Sequence, residues 1–302
     1  MSDSTANLSN LSAALAAAVA RNAPSLVTVS ARRRFGATGF VWSSQGVIVT
    51  ASHVVERDEA IEVRLPGGDR QLATLAGRDH GTDLAVLRVA TDGLAPAVLA
   101  PADLQVGNIV LALGCPAGEA PMASFGIVSA IGGPWRTVRG EEVEGYIRTD
   151  ATFFPGFSGG PLIDASGRVA GLNSSRLGRG NGLTIPVPTL TRIVADLLER
   201  GRVRRAYLGI SSQVVRLPEA LSAGLEGQQT GLLVTSVEPA SPAGSAGLLV
   251  GDILVRFAGE PLADTDDLQT LLGAGRIGQP TPVNLIRGGT PAEVTVTVGE
   301  RS

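Results

Sequence analysis

At 302 residues the chain is longer than one compact core usually serves, so two domains are expected. A formal charge of −3 gives no electrostatic footprint for nucleic acid, and no apolar run approaches the roughly 18 residues needed to span a bilayer. A single cysteine, Cys115, excludes an intramolecular disulfide and reads best as a small buried hydrophobe, so packing alone must hold the fold together.

The apolar patch Leu11–Ala20 lacks a preceding Lys or Arg, so it reads as a short amphipathic helix, capped at Ser9 or Asn10, and not as the core of a leader. The sequence as written is then expected in the cytoplasm, whereas a processed form would be periplasmic or exported. Short apolar segments follow at Ser25–Ser30, Gly39–Trp42, Gly46–Thr50, Ile61–Leu65, Leu72–Ala76 and Leu84–Val89. A second series occupies Ile109–Leu113, Gly126–Ile131, Gly145–Asp150, Leu162–Asp164, Val169–Asn173 and Leu183–Val187. Many short strands parted by turn residues point to a barrel or sandwich. The basic run Arg32–Arg34 between the first two reads as a solvated loop.

The period then changes. Leu190, Ile193, Val194, Leu197 and Leu198 share one helical face over Thr189–Arg200, with Pro188 before it and Gly201 to stop it. Arg202–Arg205 reads as an exposed linker, followed by a last segment opening with Tyr207-Leu-Gly-Ile210.

Three residues carry the chemistry. His53, one of two histidines, follows the apolar strand Val47-Ile-Val-Thr-Ala-Ser. Asp83 stands at the mouth of Leu84-Ala-Val-Leu87. Ser158 lies in Gly156-Phe-Ser-Gly-Gly-Pro161, where glycines let the chain fold sharply around a hydroxyl. A serine is a weak nucleophile until a histidine takes its proton, and the histidine needs a carboxylate to fix its tautomer. The turn can also aim two backbone N–H groups, those of Gly156 and Ser158, at one oxyanion. Each piece alone has an ordinary alternative: a Gly/Ser hairpin, a core histidine, a strand-end aspartate. Chance accounts poorly for all three in order, each in its expected setting.

Thr50-Ala-Ser-His53, Thr82-Asp-Leu-Ala-Val-Leu87 and Gly156-Phe-Ser-Gly-Gly-Pro161 resemble the chymotrypsin-like serine proteases of the HtrA (Deg) family, and the resemblance runs from about residue 22 onward. It implies a mainly β fold, with a double β-barrel protease domain at 22–200 and a C-terminal PDZ domain at 207–302. A helical segment at 1–21 and a linker at 201–206 complete the expected layout. Tyr207, Leu208, Gly209 and Ile210 resemble the PDZ loop that holds a peptide C-terminus, and Gly231–Val237, Ser241–Leu248, Gly251–Val255 and Asp266–Leu272 follow the same pattern. The resemblance also implies a homotrimer.

The chain departs from the family where asparagine is usual immediately before the nucleophile and three residues earlier; here stand Phe157 and Phe154. Phe157 cannot form the ion pair by which some chymotrypsin-like enzymes are activated on N-terminal cleavage. By position, Phe153, Thr152, Leu183 and Thr184 correspond to the S1 pocket, with Thr152 where trypsin-like enzymes keep an acid. Small aliphatic P1 residues are therefore expected. The resulting reading is an ATP-independent serine endopeptidase acting on unfolded or damaged proteins, with no metal or cofactor required. A non-catalytic chaperone or PDZ-based peptide-binding scaffold is the alternative.

Overall fold

The computed structural model describes residues 2–32, 35–100, 104–118, 120–133, 135–136, 142–143, 145–178 and 182–301; Arg33 and Arg34 of the basic run lie outside them. The chain divides into two compact units, Met1–Val203 and Arg204–Ser302. Among the described residues no helix is long and apolar enough to cross a membrane.

The first unit opens with α1, Ser2–Asn22. It is longer than the expected helix and does not start at Ser9 or Asn10. Its sequence has no Gly or Pro before residue 24 and is rich in alanine, the strongest helix former, so the helix continues back through the polar residues. Its C-terminal end is tied down: the Asn22 side-chain amide donates to the carbonyls of Ala18 and Gly167, and Arg21 donates to that of Ser166.

Six strands form a first closed barrel: β1 Leu26–Ser30, β2 Ala37–Ser43, β3 Val47–Ala51, β4 Ile61–Arg64, β5 Arg70–Asp79 and β6 Leu84–Val89. The order is β1-β2-β3-β6-β5-β4, with β4 returning to β1. A second closed barrel takes β7 Ile109–Gly114 and β8 Met122–Gly132. After a small ribbon of β9 Trp135–Arg136 and β10 Glu142–Val143 come β11 Tyr146–Thr149, β12 Pro161–Asp164, β13 Val169–Ser174 and β14 Leu183–Pro186. The second barrel's order is β11-β14-β13-β12-β7-β8. This is the chymotrypsin-like double barrel expected from the sequence. Closure leaves neither sheet an unpaired edge. Phe40, Ile48, Ile61, Leu84 and Leu87 are fully buried in the first barrel's core, and Val110, Val128, Phe157 and Leu162 in the second's.

Helix α2, Val187–Arg200, starts two residues before the expected position, because Pro188 lies inside its first turn, where a missing N–H costs nothing. Leu190, Ile193, Val194 and Leu197 bury into the first core. Gly201 ends the helix in the left-handed region (φ +74), its N–H bonded to the Leu197 carbonyl.

In the second unit, β15 Arg205–Tyr207 pairs with β22 Gly299–Arg301, so Arg205 and Ala206, expected in the linker, are part of a strand. The main sheet runs β16 Ile210–Arg216, β17 Thr230–Val237, β18 Ile253–Phe257, β20 Pro280–Arg287 and β21 Thr290–Thr297, with β19 Glu260–Pro261 beside β18. Short helices α3 Glu219–Ser222, α4 Pro242–Ser245 and α5 Thr265–Leu271 complete the PDZ unit. Asp264 and Asp267 form a reciprocal capping box that starts α5. Leu208, Leu232, Leu254, Phe257, Leu268 and Leu285 fill the core.

One ion pair in this unit ties stability to pH. Asp252 is 1 % exposed and pairs with Arg287 at 2.7 Å. Burial alone would raise its pKa, but hydrogen bonds from Arg287 and the Leu249 N–H, with the Arg287 charge, outweigh burial and hold it below the usual carboxylate value. A depressed folded pKa contributes stability that is complete above the unfolded value of about 3.9 and is lost as pH falls through the folded one. Arg287→Ala should therefore lower the thermal midpoint at pH 7, and the gap from wild type should narrow as pH drops below about 4. Parallel midpoint curves across that range would show that the pair carries no pH-linked stability.

Candidate active site

The three candidate residues are supplied by both barrels of the first unit. His53 sits in the 3-10 turn Ser52–Val54 that follows β3, and Asp83 immediately precedes β6. Strands β3 and β6 pair antiparallel with Ala51 opposite Leu84, so strand register alone brings the two residues together. The Ser52 N–H donates to the Asp83 carbonyl at 2.8 Å and closes the corner.

Asp83 is 1 % exposed and has φ +57, a left-handed conformation that aspartate tolerates better than most residues. Its carboxylate accepts the His53 backbone N–H at 2.9 Å, His53 Nδ1–H at 2.7 Å and the Ser174 hydroxyl at 2.5 Å. With Nδ1 carrying the proton, Nε2 of the neutral imidazole keeps its lone pair and can act as a base. The preceding turn is fixed by buried Asp79, which accepts the N–H and the hydroxyl of Thr82.

Ser158 lies in the turn leading to β12. The Gly159 N–H donates to the Asn173 carbonyl and the Asn173 N–H to the Gly160 carbonyl, both at 2.8 Å, which seats the turn against β13. Gly159 has φ +87, and a Cβ there would lie 2.1 Å from the Thr38 carbonyl oxygen, so only glycine fits. Gly156, with φ +88, opens the turn. Its carbonyl accepts the Thr38 hydroxyl at 2.7 Å, and Thr38 Oγ1 accepts the Cys115 N–H at 2.8 Å. Thr28 donates to the Cys115 carbonyl at 2.5 Å. The first barrel thus holds the nucleophile turn of the second.

Phe157 has no solvent exposure and packs in the second core, its ring edge-on to Phe154 at 5.4 Å. The Ser158 hydroxyl is bonded to the Ser175 hydroxyl at 2.8 Å and accepts the Ser175 N–H at 3.2 Å.

Of the residues expected around S1, Phe153 is partly buried and its ring lies against Gly182, where a Cβ would meet it at 2.7 Å. Leu183 and Thr184 are buried, and Thr184 donates to Asn173 Oδ1 at 2.7 Å. Thr152 is exposed, and its carbonyl accepts the Ser124 hydroxyl. In the second unit, Leu208 is buried in the core while Gly209 takes φ +83. Their carbonyls accept the N–H groups of Ala243 and Glu238. The Tyr207 hydroxyl bonds Glu238, and that bond raises the phenol above its ordinary pKa. Ile210 begins β16 opposite Val237.

Thr38, Ser174 and Ser175 belong to the site through contacts that no motif in the sequence marks. Ser174 had a signal, a hydroxyl ending an apolar strand; Thr38 had none beyond an ordinary place in β2.

Thr38→Val would leave the buried Cys115 N–H and Gly156 carbonyl unpaired. If the Gly156–Ser158 turn binds an oxyanion, kcat should fall by about 10–100-fold, less than the ~10²–10³ lost with a whole donor, and Thr38→Ser should keep most activity. A Thr38→Val enzyme with unchanged kcat would show that the turn does not depend on this bond.

A family model for the trypsin-like peptidase domain matches residues 37–172, and one for the PDZ domain matches 206–298. A protein named "Probable periplasmic serine endoprotease DegP-like" from Halomonas elongata is 36 % identical over 277 residues, covering 90 % of this chain and 58 % of that protein. A putative serine protease HhoB of Synechocystis sp. is 33 % identical over 280 residues, covering 87 % and 66 %. The chain spans 55–58 % of the length of the DegP-like relatives it matches. Among solved structures, a serine endoprotease from Yersinia pestis aligns with TM-score 0.78 at 31 % identity, covering 94 % of this chain and 97 % of that one. The HtrA-type protease AlgW with a decapeptide aligns with TM-score 0.80 at 28 % identity, covering 95 % and 99 %.

Proposed function

The chain belongs to the HtrA family of trypsin-like serine endoproteases, and from that premise we propose that it cleaves peptide bonds in unfolded or damaged proteins through an acyl-enzyme on Ser158. The observation that carries the reading is the buried Asp83 carboxylate on His53 Nδ1, with Ser158 on a glycine turn of the neighbouring barrel. His53 Nε2 takes the Ser158 proton as Oγ attacks the scissile carbonyl, then returns it to the leaving amine. Asp83 stabilises the imidazolium without taking its proton. The N–H groups of Gly156 and Ser158 receive the oxyanion, and water attacking on the same base releases the acyl group. None of these steps draws on ATP.

Substrate selection is assigned to two places. Phe153, Leu183 and Thr184 offer an apolar S1 wall without an acid, which favours small aliphatic P1 residues. The Tyr207–Ile210 loop is the candidate receptor for a peptide C-terminus, held by backbone N–H groups while the peptide extends the sheet beside β16. A homotrimer engaged in protein quality control completes the proposal.

Ser158→Ala should lower turnover of unfolded casein by about 10⁴-fold or more, and adding His53→Ala should cost little further, because a coupled triad fails as a unit. Sequenced products should begin mainly after Val, Ala or Ile. A majority of cuts after Arg would refute the S1 assignment, and multiplicative losses in the double variant would refute the triad.

The rival, a non-catalytic chaperone or peptide scaffold, draws on the engagement of Ser158 by Ser175. Labelling by a fluorophosphonate separates the two, since only an activated serine reacts.

A peptide with a free apolar C-terminus is expected to speed hydrolysis of a small chromogenic substrate, with coupling of about 5–150-fold in affinity terms. If saturating peptide leaves that hydrolysis unchanged, the PDZ unit serves only to tether substrate.

A further inference from the structure

The Ser158 hydroxyl has one proton and two lone pairs to distribute. In either arrangement of the Ser158–Ser175 pair, one lone pair accepts the Ser175 N–H at 3.2 Å. The 2.8 Å contact between the hydroxyls then uses either the Ser158 proton or its second lone pair. The first choice withholds the proton from His53, and the second ties up the electrons that must attack a carbonyl. Among the described residues no hydrogen bond joins Ser158 to His53, whose Nδ1 side is fully engaged by Asp83.

The contact is held from the other side as well. Ser174 donates to Asp83 and accepts the N–H groups of Arg176 at 3.2 Å and Leu177 at 3.3 Å, so the chain curls around its hydroxyl. One short segment therefore grips the carboxylate of the base through Ser174 and the nucleophile through Ser175. Ser158 is only 6 % exposed, so water competes poorly for either bond.

We propose that Ser175 is a positioning residue that parks the Ser158 hydroxyl away from His53 in the unoccupied enzyme, and that this bond must be exchanged for the His53 bond before acylation. The inference rests on the proteolytic reading given above. It carries a kinetic signature that a merely structural role lacks. Parking acts on the free hydroxyl, and once Ser158 is esterified there is no hydroxyl to park. Removing the Ser175 hydroxyl must therefore speed acylation and leave deacylation as it was.

The experiment compares wild type, Ser175→Ala and Ser175→Thr, each checked for an unchanged thermal midpoint. Acylation is read as the second-order rate of fluorophosphonate labelling and as the burst phase on a chromogenic ester; deacylation is read as the steady phase. Ser175→Ala should accelerate labelling and the burst by about 3–10-fold, the range that one hydrogen bond of ordinary net strength corresponds to. The steady phase should not change, and Ser175→Thr, which keeps a hydroxyl, should behave as wild type. Equal or slower labelling of Ser175→Ala beside a reactive wild type overturns the parking role and leaves the protease reading intact. Acceleration of both phases together also overturns it. If neither protein labels, the protease reading falls and this inference falls with it. Should Ser175→Ala have a lowered midpoint, Ser175→Gly and Ser175→Cys, which remove or weaken the same hydrogen-bonding group, decide by the same ratio of phases.

Discussion

A carboxylate buried at a barrel corner must have its charge satisfied by donors, and around Asp83 that requirement organises the site. Three donors converge on it: the His53 backbone N–H, the His53 ring and the Ser174 hydroxyl. Two come from the first barrel and one from the second, so the charge can be fully satisfied only when the barrels are assembled. An ion left short of partners in such a place costs several kcal/mol, which makes the assembled arrangement strongly preferred over one with the barrels apart. The left-handed backbone at Asp83 carries its own cost and is held in place by the Ser52 N–H on its carbonyl and by the Asp79–Thr82 turn before it.

The nucleophile turn is stabilised by a different force. Phe157 sits where the family commonly has a polar residue, and it is anchored by burial among Val110, Ala112, Val128, Ile147 and Leu162. Gly114 makes room for it, since a Cβ there would lie 2.4 Å from the ring. Burying a phenylalanine is worth about 1.5–3 kcal/mol, enough to fix the backbone on one side of Ser158 without any ion pair. Phe154 against its edge extends the same apolar anchor towards the surface. Before Ser158, then, the turn is held by burial of Phe157 and by the Thr38 hydroxyl on Gly156, and after it by the backbone bonds of Gly159 and Gly160 to Asn173.

An all-β barrel or sandwich and the order of the three site residues are legible in the sequence because both rest on local signals, strand period, turn glycines and a polar residue beside an apolar run, whereas the choice of a double barrel rests on the family resemblance. The strand register that sets Ala51 opposite Leu84 turned those local signals into proximity. Helix ends were less legible. α1 runs back to Ser2 through residues with no breaker among them, and Pro188 is tolerated in the first turn of α2, so neither boundary had a sharp mark. Ser175 and Thr38 were illegible for another reason. A serine or threonine hydroxyl matters only through what lies opposite it, and their partners, Ser158 and Gly156, are 17 and 118 residues away.

Without a disulfide, the two barrels must be joined by packing and polar contacts, and several of the polar contacts fall at the site itself. Cys115, at the end of β7, gives its carbonyl to Thr28 and its N–H to Thr38, while Thr38 gives its proton to Gly156. Thr50 in turn donates to the Thr38 carbonyl, within the barrel that carries His53. A covalent bridge placed elsewhere would have let the nucleophile turn relax independently of the first barrel. Here the same threonine closes the join and orients the turn, so a change that loosens the first barrel must also move Gly156. Fold stability and nucleophile geometry are therefore coupled through one buried hydroxyl, and the most sensitive positions for both are the ones at which the barrels meet.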